Sequence, residues 1–113
     1  MKQKEIWLVC LDPAVGAEIR KTRPCVILND DAIGVLPLKV VAPLTDHKDR
    51  YDDVPWMVRI DPQGQNNLEK ISVVDTFQPR SVARERLIRR IGVLSDREFA
   101  GVLDALKIVF GMG

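Results

Sequence analysis

Ile6-Trp7-Leu8-Val9-Cys10-Leu11, followed at once by Asp12-Pro13, is the stretch of sequence that decides the fold. It is far too short to span a bilayer. Apolar side chains on both faces of a strand indicate that other parts of the protein cover both faces of the sheet there. The stretch therefore predicts a buried β-strand that ends at Asp12-Pro13.

Further short runs follow this strand along the first two-thirds of the chain, with turn residues between them. Pro55 indicates that one of these runs starts a strand or lies at a sheet edge. The sequence thus predicts five or six short strands. The runs after the first are Cys25–Leu28, Leu38–Leu44, Val54–Ile60, Ile71–Val74 and, as a short sixth strand, Arg89–Val93.

The end of the chain changes to a helical period. Ser95 and Glu98 have the spacing of a capping box, and Leu94 and Phe99 that of a hydrophobic staple. An apolar stripe at helical spacing then predicts a helix over about residues 96–109, ended by Gly111. The stripe consists of Phe99, Val102, Leu103, Leu106 and Phe110.

Composition limits the class of protein. The 113 residues match one ordinary domain, so we expect residues 1–113 to form a single mainly β domain, a small bent sheet or barrel with a C-terminal helix. With 46% hydrophobic and 29% charged residues, the chain is not disordered. The net charge of +1 favours neither nucleic acid nor any other partner.

The chain shows no export signal and no membrane segment, so a cytoplasmic protein is expected. Cys10 and Cys25 stand in apolar runs, as reduced core cysteines do. The single His47 cannot build a two-His metal site, and the acids after it lack the spacing of a calcium loop. The expectation is therefore no metal and no cofactor.

Three segments carry candidate chemistry. In the first, Gly16 is followed by Arg20, Lys21 and Arg23, and Pro24 then fixes the chain as it enters a strand. One held guanidinium beside two mobile cations suits the capture of phosphate. The alternative is a solvated charged loop.

The second segment is Ala42–His47, in which polar residues follow a buried run. Thr45 can hydrogen-bond a phosphate oxygen, or simply finish the strand. His47 is the one side chain with an unperturbed pKa near neutrality, although a surface histidine is the simpler interpretation.

The third segment is a cluster of arginines within eleven residues. It is either a groove wall for RNA, a docking surface for an acidic partner, or a solvated basic rim. Its members are Arg80, Arg84, Arg86, Arg89 and Arg90.

These segments resemble the MazF/PemK toxins over nearly the whole chain. The opening block is the most specific part, and the later blocks keep the family's order. The matching blocks are Glu5-Ile6-Trp7-Leu8-Val9, Leu11-Asp12-Pro13, Gly16, Glu18, Lys21-Thr22-Arg23-Pro24, Ala42-Pro43-Leu44-Thr45, Gln78-Pro79-Arg80-Ser81 and Arg90-Ile91-Gly92.

The resemblance implies a small SH3-like barrel of the CcdB/MazF type and a homodimer. It also implies a metal-independent, sequence-selective endoribonuclease that cuts single-stranded RNA and is inhibited by a cognate antitoxin. By position, Arg23 and Thr45 match the family's catalytic pair. Gln78 matches a residue that contacts RNA, and Glu18 matches one in the mobile first loop that covers the site in that family. We further expect Arg20, Lys21 and Arg80 to contact RNA.

Two departures bear on mechanism. PemK-type members carry an Arg and an Asp where this chain has Asp75 and Phe77, and their loop His is here Ala17. The PemK assignment of acid and base therefore does not transfer, whereas the pair Arg23 and Thr45 does. Either His47 or a water is left to protonate the leaving group. Two other functions stay open: a non-catalytic RNA- or peptide-binding module, and a CcdB-like gyrase inhibitor.

A dimer is also expected from the apolar surface. A small barrel has one interior, so the second face of Ile6–Leu11 and part of the helix stripe would need cover from another subunit. An acidic antitoxin peptide would then cover Arg20, Lys21, Arg23 and the Arg80–Arg90 segment by charge complementarity.

Overall fold

The computed structural model describes residues 1–33 and 36–113. In this part of the chain seven β-strands precede one α-helix, and three short 3-10 turns lie in the connections. The elements are β1 Glu5–Cys10, β2 Thr22–Ile27, β3 Leu38–Asp46, β4 Met57–Ile60, β5 Ser72–Asp75, β6 Arg80–Ala83, β7 Leu87–Val93 and α1 Asp96–Phe110.

The strands form one antiparallel sheet in the order β4-β5-β3-β2-β1-β7, with β6 beside the start of β3. The long strand β3 connects the parts. It pairs with β6 over Leu38–Val41, with β2 over Val41–Pro43, and with β5 over Leu44–Asp46. Within the described residues β4 and β7 do not pair, so the sheet is bent but not closed. The predicted mainly β fold with a C-terminal helix is confirmed, and "barrel" describes it only loosely.

Each face of β1 packs into its own hydrophobic cluster. Ile6 lies in a cluster with Phe99 and Val102 of α1, and Val9 in a second cluster with Val82 and Leu87. The prediction that β1 is covered on both faces is therefore confirmed. The idea that the second cover must come from another subunit is wrong, because successive side chains alternate and this one chain supplies both covers.

Helix α1 begins and ends as the sequence predicts. The Ser95 hydroxyl accepts a hydrogen bond from the Glu98 N–H, the Glu98 carboxylate accepts one from the Ser95 N–H, and Gly111 is left-handed with φ 66°. The stripe is only partly buried: Leu103 is 41% exposed and Phe110 63%. Among the described residues, no helix is both long and apolar enough to cross a membrane.

The observed strands differ from the expected ones at several places. β2 starts at Thr22 rather than Cys25 and β7 at Leu87 rather than Arg89, because both pair with β1 over those residues, and β1 and β5 are each displaced by one residue.

β4 starts at Met57 rather than Val54, because a 3-10 turn over Asp49–Asp53 and a following turn occupy the preceding residues. β3 continues to Asp46, so the polar triplet ends the strand instead of following it. β6 was not predicted, since Val82 is its one fully buried side chain and no apolar run marks it.

Candidate functional site

Arg23 and Thr45 line one cleft of about 390 Å³, called here the strand cleft. Arg23 is the second residue of β2, and Thr45 lies near the end of β3, where it pairs with Val73. The register that pairs Cys25 with Pro43 places Arg23 opposite Thr45 when it is continued by two residues. The predicted catalytic pair is thus carried by two adjacent strands.

The walls of the strand cleft come from β7 and from the segment before β5. Three cations, Arg23, Lys70 and Arg89, line it together with two acids, Asp46 and Glu69. Lys70 Nζ lies 3.1 Å from Asp46 Oδ2, so these two charges offset each other. The remaining charges are those of Arg23, Arg89 and Glu69, so the cleft has a net positive charge and favours an anionic ligand.

Arg20 and Lys21, the other two cations of the first loop, do not line the strand cleft. Arg20 donates from its guanidinium to the Gly16 carbonyl at 2.9 Å, and Gly16 has a left-handed φ of 60°. The Lys21 N–H donates to Asp12 Oδ1, also at 2.9 Å. Arg23 Nε makes a longer contact of 3.4 Å with the Arg20 carbonyl. The loop is therefore tied by its own charged groups just before β2 begins.

Glu18, Gln78 and Arg80 line a second cleft of about 360 Å³, called here the loop cleft. Pro43 of β3 lines it too, whereas Leu44 and Thr45 line the strand cleft, so the two clefts adjoin at the same strand. Three of the five predicted RNA contacts, Glu18, Gln78 and Arg80, thus line a depression beside the one that holds the predicted catalytic pair, and Arg20 and Lys21 line neither.

Hydrogen bonds hold the loop cleft together. Gln78 Oε1 accepts from the Ile19 N–H at 2.7 Å, and Gln78 Nε2 donates to Asp75 Oδ2 at 3.2 Å. Glu18 Oε1 accepts from the Val15 N–H at 2.6 Å. Gln78 therefore joins the first loop to the end of β5.

Asp75 is the buried anchor of this cleft. Its side chain is nearly inaccessible, and burial raises its pKa, although hydrogen bonds from the Phe77 N–H and from Gln78 act in the opposite direction. Phe77, in the turn directly after β5, is by contrast 61% exposed and lines the loop cleft. In the sequence, Phe77 stands out only as a departure from the PemK pattern.

His47 lies at the end of β3 but does not line the strand cleft. Its side chain is 13% exposed, and Nε2 lies 2.8 Å from Asp52 Oδ1. Candidate ligand atoms of His47, Asp49 and Asp52 lie within 4.8 Å of one another, because the 3-10 turn folds the two carboxylates back toward the ring. The sequence does not predict this grouping. The hydrogen bond between His47 and Asp52 explains why the side chains lie close together.

The arginine cluster does not form one surface. Arg80 and Arg86 donate to backbone carbonyls of Leu11, Cys10 and Asp12, and thereby fasten the end of β1. Arg90 Nε pairs with Glu5 at 3.1 Å. Arg89 lines the strand cleft. The sequence did not predict this, because Arg89 is one of five arginines in the cluster and nothing distinguishes it from the others.

A family model described as "PemK-like, MazF-like toxin of type II toxin-antitoxin system" matches residues 2–110. The chain belongs to this family. The resemblance read from the Arg23 and Thr45 motifs is thereby confirmed.

Individual members of the MazF/PemK family support the assignment. The chain is 32% identical to endoribonuclease MazF9 of Mycobacterium tuberculosis, over 96% of this chain and 94% of that one. It is 30% identical to endoribonuclease MazF of Staphylococcus saprophyticus, over 99% and 92%. MazF from Deinococcus radiodurans has the same fold, with a TM-score of 0.82 at 24% identity over 99% and 97% of the two chains.

Proposed function

We propose that this chain is a MazF-type toxin that cuts single-stranded RNA without a metal ion. The observation that carries the proposal is the position of Arg23 and Thr45 on one cleft, on adjacent strands. The relatives named endoribonuclease MazF support the same activity. The toxin would act in the cytoplasm, where its mRNA substrate is found.

The reaction needs a ribose 2′-OH to attack the adjacent phosphorus in line. The phosphorane that forms gains negative charge, and fixed donors placed at that point give the largest stabilisation. Arg23 supplies that charge from a strand, and Thr45 adds a hydrogen bond that orients the phosphate. The attack breaks the bond to the 5′ oxygen, so the products are a 2′,3′-cyclic phosphate, or the 3′-phosphate after hydrolysis, and a 5′-OH.

The attacking 2′-OH gives up its proton to solvent water, and the leaving 5′ oxygen must take one up. Arginine is a poor acid at neutral pH, and a threonine hydroxyl is no better. The His47 ring is bonded to Asp52 and lies outside the strand cleft. We therefore assign the proton to a water that enters the open cleft.

RNA cleavage in the presence of a chelator tests this function. Purified protein should cut single-stranded RNA equally well in EDTA and in Mg²⁺, and leave 5′-OH ends. An Arg23→Ala protein prepared in parallel shows how much cleavage comes from contaminating nucleases. Activity that disappears in EDTA and returns with Mg²⁺ would refute the mechanism, and binding of RNA with no cleavage would favour the binding-module alternative.

An antitoxin is the expected protein partner. One solved structure with this fold is described as an endoribonuclease in complex with its cognate antitoxin. Arg23 lines the strand cleft, and Arg20 and Lys21 directly follow the loop residue Ile19 that lines the loop cleft, so an acidic segment of the antitoxin would compete with RNA for the same charges. Competition is tested by adding RNA to a preformed toxin–antitoxin complex, and salt should slow association.

A homodimer is supported by an apolar groove away from the strand cleft. Leu28 and Val40 line this groove of about 400 Å³ with Leu106 and Phe110 of α1, and Arg80 lies at both this groove and the loop cleft. A second copy seated here would bring an RNA groove close to the interface. Light scattering should give twice the chain mass for the wild type and the monomer mass for Phe110→Asp. A wild-type monomer at micromolar concentration would exclude the dimer.

A further inference from the structure

Phe77 presents an aromatic ring to solvent at the rim of the loop cleft. The side chain is 61% exposed, and it lines the loop cleft together with Gln78, Glu18 and Ile19. An exposed ring next to hydrogen-bonding side chains is what single-stranded RNA readers use, because unpaired bases stack on rings while their edges are hydrogen-bonded.

The ring is held by one aromatic neighbour and by the backbone that leads into it. Its centroid lies 5.5 Å from that of Trp56, with the two planes at 50°. The Phe77 N–H donates to the buried Asp75 carboxylate at 3.0 Å, and Thr76 donates its hydroxyl to the Trp56 carbonyl at 2.7 Å. A ring held in this way loses little conformational freedom when a base stacks on it.

We propose that Phe77 is the stacking platform of a nucleobase subsite in the loop cleft. The subsite takes one base of the RNA whose backbone passes Arg23 and Thr45, so this inference rests on the proposed function. It would place base recognition in the loop cleft and the chemistry in the adjoining strand cleft.

The edge groups define the class of base. Glu18 uses Oε1 to accept from the Val15 N–H, and a carboxylate has a second oxygen, which accepts but cannot donate. The donors on base edges are the exocyclic amino groups of adenine, cytosine and guanine and the ring N–H of guanine and uracil, and the uracil N–H lies between two carbonyl oxygens, which a carboxylate repels. The subsite is therefore expected to take adenine, cytosine or guanine in preference to uracil, with Phe77 supplying affinity and Glu18 the discrimination.

The test begins with a pool of random single-stranded RNA cut by the wild-type protein, whose 5′ ends are sequenced to give the preferred motif. One oligonucleotide with that motif is then made with a single deoxyribose at the cut position, so that it binds without being cleaved. Its Kd is compared for wild type, Phe77→Ala, Phe77→Leu and Phe77→Tyr. Ile88→Ala, which truncates an apolar side chain of similar exposure (55%) outside both clefts, is the matched control.

Stacking predicts a Kd about tenfold higher or more for both Phe77→Ala and Phe77→Leu, and a Kd within about twofold of wild type for Phe77→Tyr. The motif of Phe77→Ala should lose its preference at one position and keep the others, whereas Glu18→Gln should admit uracil there. Equal Kd and an unchanged motif in Phe77→Ala would overturn the platform. A wild-type protein that cuts no RNA would instead overturn the proposed function itself.

Discussion

The strand cleft and the loop cleft adjoin at β3, but they are built differently. Residues from β2, β3 and β7 line the strand cleft, including Arg23 and Thr45. Residues of the first loop and of the turn after β5 line much of the loop cleft. Its polar groups already bond to one another, as in the Gln78–Ile19 contact of 2.7 Å.

The difference suits two separate tasks in RNA cleavage, stabilising the reacting phosphate and recognising a base. Stabilising a developing charge needs donors that do not move during the reaction, and strands hold side chains in that way. Reading a base needs groups that can exchange an internal hydrogen bond for one to the ligand, and loops allow that at lower cost. Variants in the strand cleft should therefore change kcat, and variants in the loop cleft should change KM.

Arg23→Ala should give the largest effect. Loss of one preorganised charge donor lowers the rate by about a hundredfold or more, and the fold should persist because Arg23 is only half-buried at the start of β2. Single-turnover cleavage and circular dichroism measure the two properties. Arg84→Ala removes an exposed arginine outside both clefts and is the matched control. Wild-type cleavage by a folded Arg23→Ala protein would remove Arg23 from the mechanism.

Thr45→Ala should give the next effect, a fall in kcat of about tenfold or more with little change in KM. The hydroxyl is a neutral donor and contributes less than the guanidinium. Thr45→Ser keeps the hydroxyl and should restore most of the rate, whereas Thr45→Val keeps the shape and should not. A loss of folding stability that tracks the loss of rate would instead give Thr45 a purely structural role.

The sequence predicts those elements whose signals are local, and misses those that depend on residues far apart in the chain. The 3.6-residue stripe and the Ser95 capping box place α1 within about a residue, because helix signals are local. Strand β6 lacks such a signal, since only Val82 of its four residues is buried and its partner is the distant β3.

The division of the site into two clefts could not be foreseen from the sequence. Pro43 and Leu44 are neighbours in the chain, yet they line different clefts. Pro43 and Thr45 have the same parity along β3 and still line different clefts, so the division depends on which distant segments pack there: the first loop at Pro43, and β7 with the segment before β5 at Thr45. The exposure of Phe77 likewise depends on the turn that Asp75 anchors.

Gln78→Ala should act through the loop cleft and raise KM by about fivefold, the effect of losing about one hydrogen bond. Without Gln78 Oε1, the Ile19 N–H loses its acceptor, so its amide hydrogen should exchange faster in the protein without RNA. A raised KM with unchanged exchange at Ile19 would mean that Gln78 contacts RNA directly. A fall in kcat as deep as that of Arg23→Ala would contradict the separation of tasks.

Glu5→Gln tests the stability of the β1–β7 pairing, which also holds Arg89 in place opposite Leu8. Burial opposes ionisation of Glu5, but hydrogen bonds from Trp7 and from the Lys2 N–H outweigh it, and the pKa of Glu5 falls to about 2. A lowered pKa contributes stability above the unfolded value near 4.5, and this contribution is lost as the pH falls toward about 2. Urea unfolding should find Glu5→Gln less stable by about 1 kcal/mol at pH 7 and similar to wild type near pH 2. A constant difference across that range would contradict the assignment.

His47→Ala should give the smallest effect, a cleavage rate within about twofold of wild type. The ring lies outside the strand cleft and is bonded to Asp52 at 2.8 Å, so it is not placed to protonate a leaving oxygen beside Arg23. Asp52→Asn, which alters the same contact without removing the ring, should behave alike. A pH–rate profile that keeps both limbs in His47→Ala leaves water as the acid. Loss of one limb would make His47 the acid, and the strand cleft would then have to widen on RNA binding to admit it.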